Sequence, residues 1–200
     1  MDSASRNRKY YPGILRIEIQ VCYMTILTKT LADFTTMPYT VAPISGFTNP
    51  PGALDMGKMI VEDRLAIADD ADPDFPLGLA LWNEVLGPAY EVFATLGPLD
   101  SEGYFGGLVL LNEAGTDGYA LIWVSTGSQT GVILMTFPGR MTLRSWQVDN
   151  FSAGDMVRFV AKNNQITSHL KYGSNPWQTL GTVKNIILPI SGRIGFGVIE

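Results

Sequence analysis

Hydrophobic and polar residues alternate with a period of two along the C-terminal quarter of the chain. Val157, Phe159 and Ala161 are separated by single, mostly polar residues, and a second alternating segment covers residues 166–172. Asn163-Asn164 lies between the two segments, and paired asparagines accept the positive φ angles of a two-residue hairpin turn. The pattern predicts a β-hairpin with one buried and one solvent-facing side.

Similar segments continue through the middle of the chain. Apolar runs at 105–112, 119–124 and 130–137 are divided by the turn-forming stretches Glu113–Gly118 and Ser125–Gln129. Turns recur roughly every 8–12 residues, which is typical of a sandwich or barrel and not of βαβ units. No stretch of helical length shows a 3.6-residue period, so we predict an all-β fold.

The N-terminal segment combines a polar, basic stretch with an alternating one. Residues 1–10 include several cations, and from residue 15 four apolar side chains alternate with mostly polar ones: Leu15, Ile17, Ile19 and Val21. This predicts an arm over residues 1–23 whose strand pairs with a sheet edge of a neighbouring molecule. The alternative interpretation is an upstream extension or fusion remnant, with the domain beginning at Met24. Residues 24–200 are predicted to form one sandwich domain.

Composition narrows the class of protein. Hydrophobic residues make up 46% and charged residues 16% of 200 residues, which suits one domain with a substantial core. The net charge of -5 disfavours nucleic acid and anionic membranes as partners. Cys22 is the only cysteine and His169 the only histidine, which excludes an internal disulfide and cysteine-rich zinc sites.

The chain contains no apolar run near the ~20 residues that a membrane span needs. Arg16 and Glu18 interrupt the first apolar stretch, so it does not have the pattern of a signal peptide. We therefore expect a protein made in the cytoplasm that reaches an extracellular assembly or a virion surface without a signal peptide.

Four segments resemble the concanavalin A-like lectin/glucanase superfamily, which includes laminin-G-like modules. They are Leu108–Leu110 before an acidic glycine turn, Tyr119–Leu121, Phe151–Phe159 and Gly192–Val198. The resemblance covers roughly Leu31 to Glu200. It implies a jelly-roll sandwich of two antiparallel sheets, one of which is curved into a concave face that holds sugars or proteins in many relatives.

The glucanases of this superfamily carry paired glutamates around an aspartate on one strand, because glycoside hydrolysis needs two carboxylates at the same bond. This chain lacks that pattern. Its Glu62-Asp63 pair is not followed by a carboxylate at strand spacing. We therefore predict a protein without catalytic activity, and a glycoside hydrolase is a remote alternative.

An acidic loop is the candidate metal site. Four carboxylates fall within six positions around Pro73: Asp69, Asp70, Asp72 and Asp74. Calcium prefers several oxygen ligands, so the loop is a candidate calcium site, although its spacing does not match an EF-hand. A solvated surface loop explains the same residues. No other cofactor is expected.

Aromatic and basic residues on one predicted strand, together with a tryptophan after a later turn, form the candidate glycan site. A flat aromatic ring beside guanidinium donors suits a pyranose, which has an apolar face and a rim of hydroxyls. The candidates are Arg140, Arg144, Trp146 and Trp177. The alternatives are that Trp146 covers a sheet edge and that Trp177 packs across a hairpin. Trp123 is predicted to lie in the core and His169 on the surface.

These expectations combine into one prediction with an alternative. We expect a non-catalytic recognition or assembly module that is a homo-oligomeric surface component of a phage virion, such as a decoration, fibre or tail part. This setting rests on similarity to such modules and on the predicted arm. The alternative is a glycan-binding, lectin-like module.

Overall fold

The computed structural model describes residues 14–22, 26–33, 43–49, 51, 59–62, 65–68, 77–87, 90–97, 104–126, 129–187 and 191–199. The acidic loop with Asp69, Asp70, Asp72 and Asp74 lies outside these residues. None of the described segments is a helix long and apolar enough to cross a membrane.

The described residues form β-strands joined by turns and irregular segments. The strands are β1 (Ile14–Cys22), β2 (Ile26–Asp33), β3 (Phe47–Thr48), β4 (Met59–Glu62), β5 (Leu65–Ala68), β6 (Leu77–Trp82), β7 (Tyr90–Leu96), β8 (Tyr104–Asn112), β9 (Gly118–Thr126), β10 (Gln129–Phe137), β11 (Thr142–Gln147), β12 (Met156–Lys162), β13 (Gln165–Lys171), β14 (Gln178–Lys184) and β15 (Gly192–Ile199).

The strands assemble into two antiparallel sheets. The eight-stranded sheet has the order β14-β13-β12-β7-β1-β5-β4, with β2 also paired to β1. The seven-stranded sheet has the order β11-β10-β9-β8-β15-β6-β3. The all-β jelly-roll sandwich predicted from the sequence is therefore confirmed.

Hairpin β12–β13 has the predicted form. Asn163 and Asn164 adopt φ angles of 53° and 54°, the left-handed values that a two-residue hairpin turn of this type requires. Buried and partly exposed residues alternate along both strands. Val157 pairs with Leu170 and Ala161 with Ile166, so one face of the hairpin is entirely internal.

The main core lies between the two sheets. Phe159 from the eight-stranded sheet and Trp123 and Phe196 from the seven-stranded sheet are among its largest fully buried side chains. Trp123 thus lies in the core, as predicted. A contiguous apolar core between two sheets provides most of the stabilisation of such a sandwich.

Strand β1 lies inside the eight-stranded sheet. Residues from Ile14 to Val21 pair with β7 along one edge, and residues from Arg16 to Cys22 pair with β2 along the other. The side chains of Ile17 and Ile19 are 1% and 2% exposed and belong to the main core. Leu15 and Val21 lie on the same strand. The expected docking strand is thus integrated into its own sandwich, and its docking role stays a prediction.

The seven-stranded sheet is apolar on both sides. Leu108 and Leu110 point into the main core, whereas Val109 and Leu111 alternate with them and belong to a second cluster. That cluster also includes Leu79, Leu81 and Ala120, with Ile122, Met135 and Phe137 partly buried against it. We call this side of the sheet the apolar face.

Candidate functional site

The four candidate sugar-binding residues do not form one cluster. Arg140 lies in the turn between β10 and β11, with a φ angle of 55°, and is exposed. Arg144 and Trp146 lie on β11, the edge strand of the seven-stranded sheet. Trp177 precedes β14 in the eight-stranded sheet. The structure therefore separates Trp177 from the three residues on and beside β11.

Trp146 points towards the gap between the sheets. It pairs with the fully buried Val132, and its ring packs against the main core. A Cβ atom added to Gly181 of β14 would lie 2.9 Å from Nε1 of Trp146, so the indole lies directly over this glycine. The ring thus covers the open side of the sandwich between edge strands β11 and β14. A sugar-binding role for Arg140, Arg144 and Trp146 stays a prediction.

Trp177 lies on the outer side of the eight-stranded sheet, which faces away from the core. The guanidinium carbon of Arg158 lies 4.4 Å from the centroid of the Trp177 ring, which is within the range of a cation–π contact. The ring of Phe93 meets it edge-on, with centroids 6.2 Å apart and an interplanar angle of 63°. Trp177 remains partly exposed although Arg158 covers one of its ring faces.

An ion pair fixes the cation beneath this ring. Nη1 of Arg158 donates a hydrogen bond to Oε1 of Glu91 over 3.0 Å, and both side chains are largely buried. Arg158 pairs with Phe93 across β12 and β7, which places the three residues Glu91, Phe93 and Arg158 on one surface. Trp177 is therefore held in a defined orientation from below and from one edge.

His169 completes the polar part of the site. It pairs with Arg158 across the β12–β13 hairpin, and its Nδ1 lies 3.1 Å from Oγ1 of Thr179 on β14. Burial, reinforced by the nearby Arg158 charge, lowers the pKa of His169 from 6.5 to about 4. The imidazole is thus neutral at pH 7, and it lies on the solvent side of its strand, as predicted.

We call this surface the Trp177 face: the outer side of β7, β12, β13 and β14 together with Trp177. Its centre contains Glu91, Phe93, Arg158, His169, Trp177 and Thr179. The sequence indicated that Arg158 and His169 face solvent and that Trp177 follows a turn. It carried no signal for Glu91 and Phe93, because their strand precedes β12 by many residues and the pairing is non-local.

The described residues contain no clustered metal ligands. Among them, no group of three or more His, Cys, Asp or Glu side chains is placed to hold a metal ion. Glu62 lies on β4, whereas Asp63 falls outside the described residues.

Comparisons with known proteins identify the fold. No family model matches the sequence, and no curated protein matches it significantly. Among solved structures, the chain is similar to the carbohydrate-binding module CBM66 from Bacillus subtilis, with 11% identity, a TM-score of 0.52, and coverage of 80% of this chain and 92% of that one.

It is also similar to the exoplasmic/lumenal domain of VIP36 in its Ca²⁺/Man-bound form, with 10% identity and a TM-score of 0.51. That match covers 80% of this chain and 73% of the VIP36 chain. At such low identity these similarities establish the fold and not the function. The chain therefore has a jelly-roll sandwich fold, as these two structures do.

Proposed function

We propose that this protein is a non-catalytic recognition module that binds glycan on the Trp177 face. The observation that carries the proposal is the partly exposed Trp177 ring held over Arg158 and against Phe93. An oriented aromatic ring beside hydrogen-bonding side chains matches a pyranose, whose C–H face stacks on the ring and whose hydroxyls take the polar partners.

The fixed orientation of the Trp177 ring also favours glycan binding. A side chain that is already ordered loses little conformational entropy when a ligand stacks on it. His169 and Thr179 beside the ring offer a neutral imidazole and a hydroxyl as donors or acceptors for sugar hydroxyls. Two proteins of the same fold, the carbohydrate-binding module and mannose-bound VIP36, provide a fold-level analogy.

The test compares variants of Trp177 on a broad glycan array and in polysaccharide affinity gels. Trp177→Ala should abolish binding, whereas Trp177→Phe, which retains a ring, should retain part of it. Both variants should keep the wild-type melting temperature within a few degrees, since the side chain lies outside the core. If no glycan binds the wild-type protein, or if Trp146→Ala loses binding while Trp177→Ala does not, the proposal is wrong.

A second candidate function is a structural role in a larger assembly, such as the surface of a phage particle. It is favoured by the apolar face, where Ile122, Met135 and Phe137 remain partly exposed on a sheet surface that points away from the core. Exposed apolar sheet surface is typical of a protein–protein contact.

Light scattering over a range of concentrations tests this candidate: Met135→Lys should shift an oligomer towards monomers. A wild-type protein that is monomeric throughout would contradict the homo-oligomeric form of the candidate.

A further inference from the structure

The charges of this protein are distributed very unevenly along the chain. Between Asp155 and Glu200 the sequence contains five cationic residues and no carboxylate: Arg158, Lys162, Lys171, Lys184 and Arg193. The whole chain has a net charge of -5, so the remaining residues together carry -10. Strands β12, β13 and β14 thus form a basic region on an acidic protein.

The fold places four of these five cations on the Trp177 face. Arg158 and Lys162 alternate with the buried residues of β12, and Lys171 alternates with those of β13. Lys184 belongs to the same side, because it pairs with Gln165, which in turn pairs with Lys162. Lys162 and Lys184 are exposed.

The spacing of these cations follows from the strand register. Lys162 and Lys184 flank Gln165 from two strands apart, at about 10 Å, since adjacent strands are about 4.8 Å apart. Lys171 pairs with Met156, six positions along β12 from Lys162, which corresponds to about 20 Å. Cations therefore lie on both sides of Arg158 and His169 along the face.

We infer that the ligand of the Trp177 face is an anionic polysaccharide, whose carboxylate or sulfate groups contact Lys162, Lys171 and Lys184 while one sugar ring stacks on Trp177. This inference rests on the proposed glycan-binding function. Strands β12, β13 and β14 contain no carboxylate. The carboxylates of Glu91 on β7 and of Glu18 on β1, which lie on the same outer side of the sheet, are paired with Arg158 and Arg16. The rest of the chain carries a net charge of -10, so this basic region is the part of the protein that attracts a polyanion.

A polysaccharide fits this surface better than a nucleic acid does. The Trp177 face offers one aromatic platform and four widely spaced cations, whereas single-strand binders use successive aromatic side chains along a basic groove.

The experiment uses the full chain and matched pairs of polysaccharides that differ in charge. Binding is measured by affinity electrophoresis and calorimetry with polygalacturonate against its methyl ester, and with heparin against its desulfated form. Laminarin and mannan serve as neutral glycans, and single-stranded DNA as a nucleic acid. We expect at least one anionic polysaccharide to bind, and its uncharged or less charged counterpart to bind at least tenfold more weakly. The affinity should fall as NaCl is raised from 50 to 300 mM, because salt screens exposed charges.

Two double variants test the role of the lysines. Lys162→Gln with Lys184→Gln should weaken binding of the anionic polysaccharide about tenfold, whereas Lys162→Arg with Lys184→Arg, which keeps both charges, should retain it. Trp177→Ala should abolish binding.

The possible failures are distinguishable. If only the neutral glycans bind, in a Trp177-dependent manner, the anionic inference is overturned while the proposed function stands. If no polysaccharide binds, both are overturned. Equal affinity for DNA, or anionic binding that the lysine-to-glutamine variant leaves unchanged, also overturns the inference.

Discussion

Asp155 joins three separate segments at one end of the sandwich, and its replacement by asparagine is the sharpest test of how the fold is held together. Oδ2 of Asp155 accepts a hydrogen bond from the Ser152 N–H over 2.7 Å, and Oδ1 accepts one from the Gly173 N–H over 2.8 Å. Its backbone oxygen accepts a third bond, from the Leu96 N–H at the end of β7. The residue is 4% exposed, so water does not replace these bonds.

The expected cost follows from these contacts. Hydrogen bonds to a charged group contribute about 1.5–3 kcal/mol each, and a buried N–H left without an acceptor costs about 1–3 kcal/mol. An asparagine side chain keeps one acceptor oxygen, but its NH₂ group faces the second backbone N–H, which then has no acceptor. We therefore expect Asp155→Asn to lower the free energy of unfolding by about 3 kcal/mol, a large share of the roughly 5–15 kcal/mol typical of a domain.

Urea denaturation followed by circular dichroism measures this change, and the m value should stay constant. Asp149→Asn is the matched control, because the exposed Asp149 contributes a backbone oxygen, and not its carboxylate, to the hydrogen bond from Tyr172. The control should change stability by less than about 0.5 kcal/mol. A loss below about 1 kcal/mol for Asp155→Asn, or one equal to that of the control, would refute the reasoning.

Four further predictions concern the core, the edge, pH and calcium. Phe159→Ala should destabilise the fold by about 3–5 kcal/mol in the same urea assay, because it opens a cavity in the main core; a loss below 1 kcal/mol would contradict this placement. Gly181→Ala should cost about 1–3 kcal/mol, since its Cβ would contact the Trp146 ring, and Trp146→Ala should remove most of that penalty. The pKa of His169 is about 4 in the folded state and 6.5 in the unfolded state, so the unfolded state binds a proton first as the pH falls. The free energy of unfolding should therefore fall by about 1 kcal/mol between pH 6.5 and 4, after allowance for solvent screening. His169→Gln should lose this part of the pH dependence, and an unchanged pH dependence would contradict the lowered pKa. If residues 69–74 bind calcium, the melting temperature should rise on adding calcium and return with chelator; no shift would remove this site.

The hairpins could be predicted from the sequence because their signals are local. Alternation places Val157, Phe159 and Ala161 on one side whatever lies elsewhere in the chain, and Asn163-Asn164 supplies the turn. The turn over residues 152–155 is also a local feature. Gly154 adopts a φ of 90°, and the turn lets the Asp155 carboxylate accept a hydrogen bond from the Ser152 N–H.

The position of strand β1 could not be predicted in the same way. Alternation at Leu15–Val21 predicted a strand correctly, but the choice of partner depends on residues 90–96, far along the chain. A local pattern carries no information about which edges meet. Deleting residues 1–23 would remove Ile17 and Ile19 from the core, so loss of docking in such a variant would not distinguish a docking role from misfolding.

The candidate site shows the same limit. That Arg158 and His169 face solvent follows from the alternation, but their contact with Trp177 and Phe93 depends on how β7 pairs with β12 and on how the chain enters β14. The sequence favoured Trp146 over Trp177 as the sugar-binding ring, because it did not show that Trp146 points inwards and Trp177 outwards. The inward orientation of Trp146 is fixed by its pairing with Val132 in the neighbouring strand.

The two candidate functions use opposite outer surfaces of the sandwich. The Trp177 face is basic and aromatic, and the apolar face lies on the other sheet, with the main core between them. Substitutions on surfaces so far apart should act independently, since coupling between side chains is strong only when they share contacts. A variant of Trp177 should therefore change glycan binding and leave oligomeric state unaltered, and a variant of Met135 should do the reverse. One domain can carry both functions, and the two variants measured together show which of them it has.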